Sequence, residues 1–205
     1  MILPTFSHPE LEQFSKRLKG LTRRTIAPQS KEEKRAAVLV TMCTVKGEPG
    51  FLFTKRTDDV PTHKGQVSFP GGMRHENEDD PIETALRETM EEIKIAPENI
   101  KVLGVSHDVH AITGVPVTPV VGFIGEVIPE TVQYDPREIA CVFCILLKDL
   151  LPTESRYRVT MEKRGSYPVF ESGPWPVWGL TAYMLDEYLR DILLIDLWPS
   201  SSIEE

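Results

Sequence analysis

Residues 71–95, GGMRHENEDDPIETALRETMEEIKI, constrain this chain more than any other segment, because eight carboxylates crowd between Glu76 and Glu92. The pattern is that of a turn running into a helix. Asp80 is placed to cap free amide groups, Pro81 suits the first helical position, and Glu83 can close a capping box. The spacing predicts a helix near 81–93. At roughly 100° per residue, Ile82, Leu86, Thr89, Met90 and Ile93 share one side, the expected core face. Glu88, Glu91 and Glu92 fall nearly opposite. Glu88 and Glu92 stand one turn apart, so their carboxylates can converge.

Taken alone, such a run also fits a solvated acidic face. Two features point elsewhere. Like charges four residues apart repel, which is costly unless a cation arrives. The helix is also entered through Phe69-Pro70-Gly71-Gly72, a turn where backbone can pass close to a ligand. Hard cations such as Mg²⁺ take oxygen ligands and keep several waters. They bridge substrate phosphates and lower the pKa of an attacking water. An acidic protein can thus act on an anionic small molecule.

The rest of the chain supplies a scaffold. Residues 8–19 read as a short amphipathic helix with a basic far side, followed by a polar link. AAVLVTMCTV and FLFTKR flank a turn at Lys46-Gly47-Glu48-Pro49-Gly50 and read as a hairpin. Strand-like runs follow at 100–109, 116–125 and 139–145, and 179–195 has helical spacing. Interleaved strands and helices give an α/β fold, a mixed sheet covered by helices. A length of 205 residues fits one domain with appended arms. We place a helical arm over 1–34, the main domain over 35–197 and a polar tail over 198–205.

A formal charge of −8 disfavours nucleic acid, which needs a basic face. Residues 109–125 lack charge but are short and broken by Pro and Gly, so no membrane span is expected. Cys141 and Cys144 lie in the apolar run IACVFCILL and, with Cys43, read as buried thiols of a reducing, intracellular compartment. The basic stretch 16–24 is compatible with mitochondrial import, and early acids argue for the cytoplasm. SSIEE is not a peroxisomal signal.

The acidic segment resembles the box of the Nudix hydrolases, G-x5-E-x7-R-E-U-x-E-E-x-G-U, where U is apolar. Arg87-Glu88-Thr89-Met90-Glu91-Glu92 matches its core and Ile95 its last position. Glu78 is correctly spaced from Gly72 and Asp79 from Arg87, which a one-residue loop insertion explains. Lys94 stands where the box has Gly, a position that serves the helix end. More narrowly, FLFTKR, GQVSFPGG and TALRETMEE, with HAITGVPVTPVVGFIG, DPREIACVF and YPVFESGPWPVWGLTA downstream, are similar to the coenzyme A diphosphatase branch. That branch carries an Arg shortly before GQVSFPGG; Pro61-Thr62 occupy that ground here, with His63 or Lys64 as replacement charge.

The resemblance implies an α/β/α sandwich and an enzyme cleaving the diphosphate of coenzyme A or acyl-coenzyme A. The products would be adenosine 3′,5′-bisphosphate and a 4′-phosphopantetheine. ADP-ribose, NADH or another dinucleotide is the alternative substrate, and a non-catalytic nucleotide-binding module the alternative class. The implied cofactor is Mg²⁺ or Mn²⁺, held by Glu88 and Glu92. Glu91 would be a further ligand or a base, with Glu138 as a base outside the box. Arg87 would hold Glu78 or Asp79. Arg56 and Lys64 would meet phosphate, beside the turn at Gly71 and Gly72. His107 and His110 read as packing residues or phosphate contacts. Trp175 and Trp178 read as anchors of the last helix. Homodimerisation is left open.

Overall fold

The computed structural model describes residues 3–28, 33–59, 63–161 and 165–198. Its helices are α1 (His8–Gly20), α2 (Pro81–Ile93) and α3 (Gly179–Asp191). The strands begin with β1 (Ala36–Val45), β2 (Glu48–Arg56), β3 (Val67–Ser68) and β4 (Gly71–Met73). They continue with β5 (Lys101–Val105), β6 (Val109–His110), β7 (Pro116–Glu126) and β8 (Ile139–Leu146). A separate two-stranded sheet pairs β9 (Arg156–Met161) with β10 (Gly165–Phe170). The first eight strands form one mixed sheet, in which β1 and β7 run parallel and the other pairings are antiparallel.

Strand alternation builds the layers, because successive side chains point to opposite faces. Ala37 and Leu39 of β1 and Leu52 of β2 pack with Ala85 and Ile93 of α2. Val40, Met42, Phe51 and Phe53 point the other way, into a core with Leu11, Phe14 and Leu18 of α1 and Leu185, Tyr188 and Leu189 of α3. The result is the expected α/β/α sandwich. Ser7 and Glu10 form a capping box that starts α1. Ser15 Oγ donates to the Leu103 carbonyl at 2.7 Å. The buried Asp108 carboxylate accepts from Arg23, Arg35, Thr118 and the Ile26 amide, and so ties both ends of the polar link to the sheet.

The strand pairing also makes the notch on which the site depends. β1 and β2 pair only at their hairpin end, from Met42↔Phe51 to Val45↔Glu48. Beyond that they diverge. β4 takes the freed edge of β1 at Ala36–Val38, while β3 pairs with Thr54 and Lys55 of β2. Pro70, between β3 and β4, accepts from the Leu39 amide at 2.8 Å. The FPGG turn is thereby wedged into the split.

Several expectations are corrected. The hairpin turn is only Lys46-Gly47, with φ of 52° and 75°, so β2 already starts at Glu48. Positive φ at both positions matches the twist of the flanking strands. The 100–109 run is broken into β5 and β6, and α3 ends at Asp191 rather than 195. Ile192, Leu193, Ile195 and Leu197 nevertheless stay buried as the chain unwinds. Trp198 donates its indole N–H to Asp186 at 2.8 Å, and 199–205 lie outside the described residues, as do Pro61 and Thr62. No helix among the described residues is long and apolar enough to cross a membrane.

Leu18 is 2% exposed and sits against Gly104, where an added Cβ would fall 2.9 Å from the Leu18 Cβ. Leu18→Ala should therefore lower the free energy of unfolding by about 2–4 kcal/mol. Urea titration measures this, and a loss below about 0.5 kcal/mol would mean that α1 is not part of the cooperative core.

Candidate active site

Helix α2 begins and ends where its sequence dictates. The Asp80 carboxylate accepts from the Ile82 amide at 2.9 Å, with Pro81 at the first turn. Lys94 closes the helix in the left-handed conformation at φ 57°, and its Nζ donates to the Glu91 carbonyl at 2.7 Å. It does the work of the box glycine at a cost of about 1 kcal/mol. The buried face matches the expected one only in part: Thr89 and Ile93 are buried and Ile82 and Leu86 pack against the core. Thr84, Ala85, Thr89, Glu92 and Ile93 face inward, whereas Met90 is 42% exposed. Thr89 can be buried because its hydroxyl donates to the Ala85 carbonyl, and Thr84 because its hydroxyl donates to Glu78.

This rotation carries Glu92 into the notch. Its side chain is 3% exposed, with the Gly71 amide donating to Oε2 at 3.2 Å and Arg56 Nη1 to Oε1 at 3.3 Å. Burial pushes its acid up to about 8 even though Arg56 and the Gly71 amide pull it down. The neighbouring charges of Glu88 and Glu138 raise it further. Glu88 is likewise raised, chiefly by burial, against the pull of Arg87. The two glycines are needed sterically. A Cβ on Gly72 would lie 2.5 Å from the Glu88 carboxylate, and one on Gly71 2.4 Å from the Ala37 carbonyl.

Arg87 organises the cluster. Its Nε donates to Glu78 at 2.6 Å, Nη1 to Glu88 at 2.9 Å and to Glu91 at 3.3 Å, and Nη2 to the Met73 carbonyl at 2.9 Å. The carboxylate it grips is Glu78, also bonded by the His75 amide and Thr84, while Asp79 stays exposed. Those donors, Arg87 foremost, hold Glu78 down at about 2.

Across the notch, Glu138 lies 3.7 Å from Arg56 Nη2 with its side chain half exposed, and its carbonyl accepts from the Thr57 amide. Arg56 thus bridges Glu92 and Glu138, and its buried Nε has no partner. Asp135, which sequence reasoning missed, positions this wall. Its amide donates to the Glu92 carbonyl at 2.8 Å, and its carboxylate accepts from Arg137. Glu91 points outward with its side chain 56% exposed.

Among the described residues, no three His, Cys, Asp or Glu side chains stand in a geometry ready to hold a metal ion. Glu88 and Glu92 are each paired with an arginine instead. The donors are nonetheless all oxygen, the set a hard cation prefers. Deprotonated, they would concentrate negative charge at a site where burial makes that charge costly. In donor chemistry the residues fit a divalent ion, whose binding would require Arg87 and Arg56 to release Glu88 and Glu92.

Other candidates lie apart. Lys64 is exposed in the turn before β3. His107 is buried, its Nδ1 accepting from the Arg24 amide, and His110 is exposed beside Gly114. Trp175 and Trp178 are 36% and 47% exposed, so neither is a buried anchor of α3. The helix is tied instead by Thr181, whose hydroxyl donates to the Val67 carbonyl at 3.2 Å. All three cysteines are free; only Cys43 is fully buried, and its nearest sulfur is that of Cys144 at 3.7 Å.

The model of the NUDIX domain matches residues 33–163, well over half of the chain. A mouse protein named mitochondrial coenzyme A diphosphatase is 34% identical over 209 residues, covering 100% of this chain and 98% of that protein. An uncharacterized Nudix hydrolase, NudL, of Cronobacter sakazakii is 37% identical over 185 residues, 89% of this chain and 94% of the relative. Among solved structures, a MutT/nudix family protein from Enterococcus faecalis aligns over 87% of this chain and 71% of its own, with a TM-score of 0.50 and 15% identity, a likeness of fold.

The Glu78 clamp makes a pH prediction. A carboxylate held at about 2 against an ordinary 4.5 stabilises the fold fully above pH 4.5 and loses that contribution as pH falls toward 2. Glu78→Gln should therefore cost up to about 3 kcal/mol at pH 7. Its deficit against the parent should close between about pH 5 and pH 2. Denaturant titrations at pH 7, 4 and 3 read this, and a deficit unchanged at pH 3 would contradict it.

Proposed function

The chain belongs to the Nudix family of hydrolases, and from that premise we propose that it cleaves the diphosphate bond of coenzyme A and its acyl thioesters. The products would be adenosine 3′,5′-bisphosphate and a 4′-phosphopantetheine, plain or acylated. The observation that carries the reading is the convergence of Glu88, Glu92 and Glu138 at the FPGG notch, where Arg56 bridges Glu92 and Glu138 and Glu88 lies against Gly72. The substrate class is supported by the mouse relative, whose name assigns it coenzyme A, and by the alignment across both full chains. The same name supports a mitochondrial compartment, while the likeness to a bacterial protein supports a cytoplasmic one.

Glu88 and Glu92 would hold Mg²⁺ or Mn²⁺, with Glu91 as a further ligand from the exposed side. Bound there, the ion supplies neutralising charge for the diphosphate and acidity for a water. The protein's own groups do the rest. Glu138, half exposed and free of Arg87, accepts the proton of the attacking water. Arg56, with an unpartnered Nε, turns to the substrate phosphate, and Lys64 adds charge at the outer edge. Gly71 and Gly72 let the backbone approach the diphosphate. Arg87 and Glu78 position the carboxylates and do not react.

Incubation of the protein with Mg²⁺ and a panel of coenzyme A, acyl-coenzyme A, ADP-ribose and NADH tests the reading by mass spectrometry of products. We expect adenosine 3′,5′-bisphosphate from the coenzyme A species and little turnover of the others. Glu88→Gln and Glu92→Gln should each lower turnover by at least about a hundredfold with the fold intact. Near-normal turnover in both variants would sink the metal assignment, and preference for ADP-ribose or NADH the substrate.

A further inference from the structure

A cavity of about 410 Å³ lies between the segment after α1, β6, the β9–β10 hairpin and the first turns of α3. None of the carboxylates of α2 lines it. Arg24, Ser166, Tyr167, Leu180 and Tyr183 do, and all five stand outside the segment 33–163 that matches the family domain. The flanking segments thus build most of a cavity against Asp108, Val109 and His110 of the shared domain. Recognition particular to one substrate belongs in such an addition, since function resides in sites grafted on a fold.

Its position suits one arm of a long substrate. Val109 at its wall pairs with Val117 of β7, Val117 with Ala36 of β1, and Ala36 with Met73 of β4. Three strand spacings make about 14 Å. Met73 adjoins Gly72, which lies against Glu88. The cavity and the notch therefore open at the same end of the sheet. An extended pantetheine chain spans on the order of 15 Å from phosphate to sulfur at the reach of ordinary covalent bonds.

The lining selects which arm. Tyr167 and Tyr183, 6.4 Å apart between ring centres, join Leu180 and Val109 in apolar walls, with Ser166 as a polar neighbour. The charges there are already matched among the described residues. Arg24 pairs with buried Glu187, which also accepts from the Tyr183 hydroxyl, and Asp108 is satisfied by Arg23 and Arg35. Exposed His110, with its Nδ1 3.2 Å from the Gly114 carbonyl, completes the lining; among the described residues the walls hold no lysine and no unpaired arginine, which fits a neutral chain of amides and methylenes.

We propose that this cavity receives the pantetheine arm, with its acyl group when present, and that Leu180 and Tyr183 determine that specificity. The inference rests on the coenzyme A reading above. Leu180→Trp, and separately Ser166→Trp at an exposed strand position, would fill the cavity without touching the carboxylates. In protein with an unchanged thermal midpoint, KM for coenzyme A should rise about tenfold with kcat nearly constant. Calorimetry should show weakened binding of 4′-phosphopantetheine and unaltered binding of adenosine 3′,5′-bisphosphate. If Leu180→Trp fails to fold, Ser166→Trp alone decides. Parental KM in a folded variant, or loss of the bisphosphate instead, overturns the cavity assignment and leaves the activity standing. Absence of coenzyme A cleavage by the unmodified protein overturns the activity and this assignment together.

Discussion

Arg87 donates to a loop carboxylate, to two carboxylates of its own helix and to a strand carbonyl, so three chain segments are referred to one guanidinium. Its fixed planar fork is what allows this, because a flexible ammonium would not set several directions at once. Glu78 anchors the arginine from beneath, and Glu88 is thereby held over Gly72. The acid groups of the cluster are more buried than water alone would favour.

The second constraint is topological. A hairpin whose strands part company leaves both facing edges unpaired, and β3, β4 and the FPGG turn fill the gap. Glycine is required there because strand β1 lies on one side of the turn and a helix carboxylate on the other. The same wedge explains why a buried glutamate is tolerated. Glu92 finds a backbone amide and a guanidinium at the bottom of the notch, which moderates a burial that would otherwise be prohibitive.

How much of this was legible in the sequence varies with the range of the forces involved. The limits of α2 follow from local signals, Asp80-Pro81 at one end and Lys94 at the other, and the structure reproduces 81–93. Its facing follows only in part: Ile82, Leu86, Thr89 and Ile93 lie in or against the core, but a wheel drawn from apolar residues also places Met90 inside and Glu92 outside. The notch reverses both, and threonines that bond their own helix or Glu78 make up the interior. The choice between Glu78 and Asp79 is similarly tertiary. Asp108 gathers partners from 10 to 85 residues away, a pattern no local window contains. The β9–β10 hairpin escaped notice because Tyr157 and Val159 are exposed, so its apolar alternation marks no core. Trp175 and Trp178 show the converse error, since aromatic residues near a helix start need not be buried.

Joint binding of a divalent ion by Glu88 and Glu92, as proposed above, would exchange their arginine partners for a metal. Anomalous diffraction from crystals soaked in Mn²⁺ addresses it directly. A single strong peak is expected within about 2.0–2.3 Å of an oxygen from each carboxylate. Arg56 should have swung away from Glu92 at the same time. Crystals that bind Mn²⁺ elsewhere or not at all, with Glu88 still on Arg87 and Glu92 still on Arg56, would contradict it.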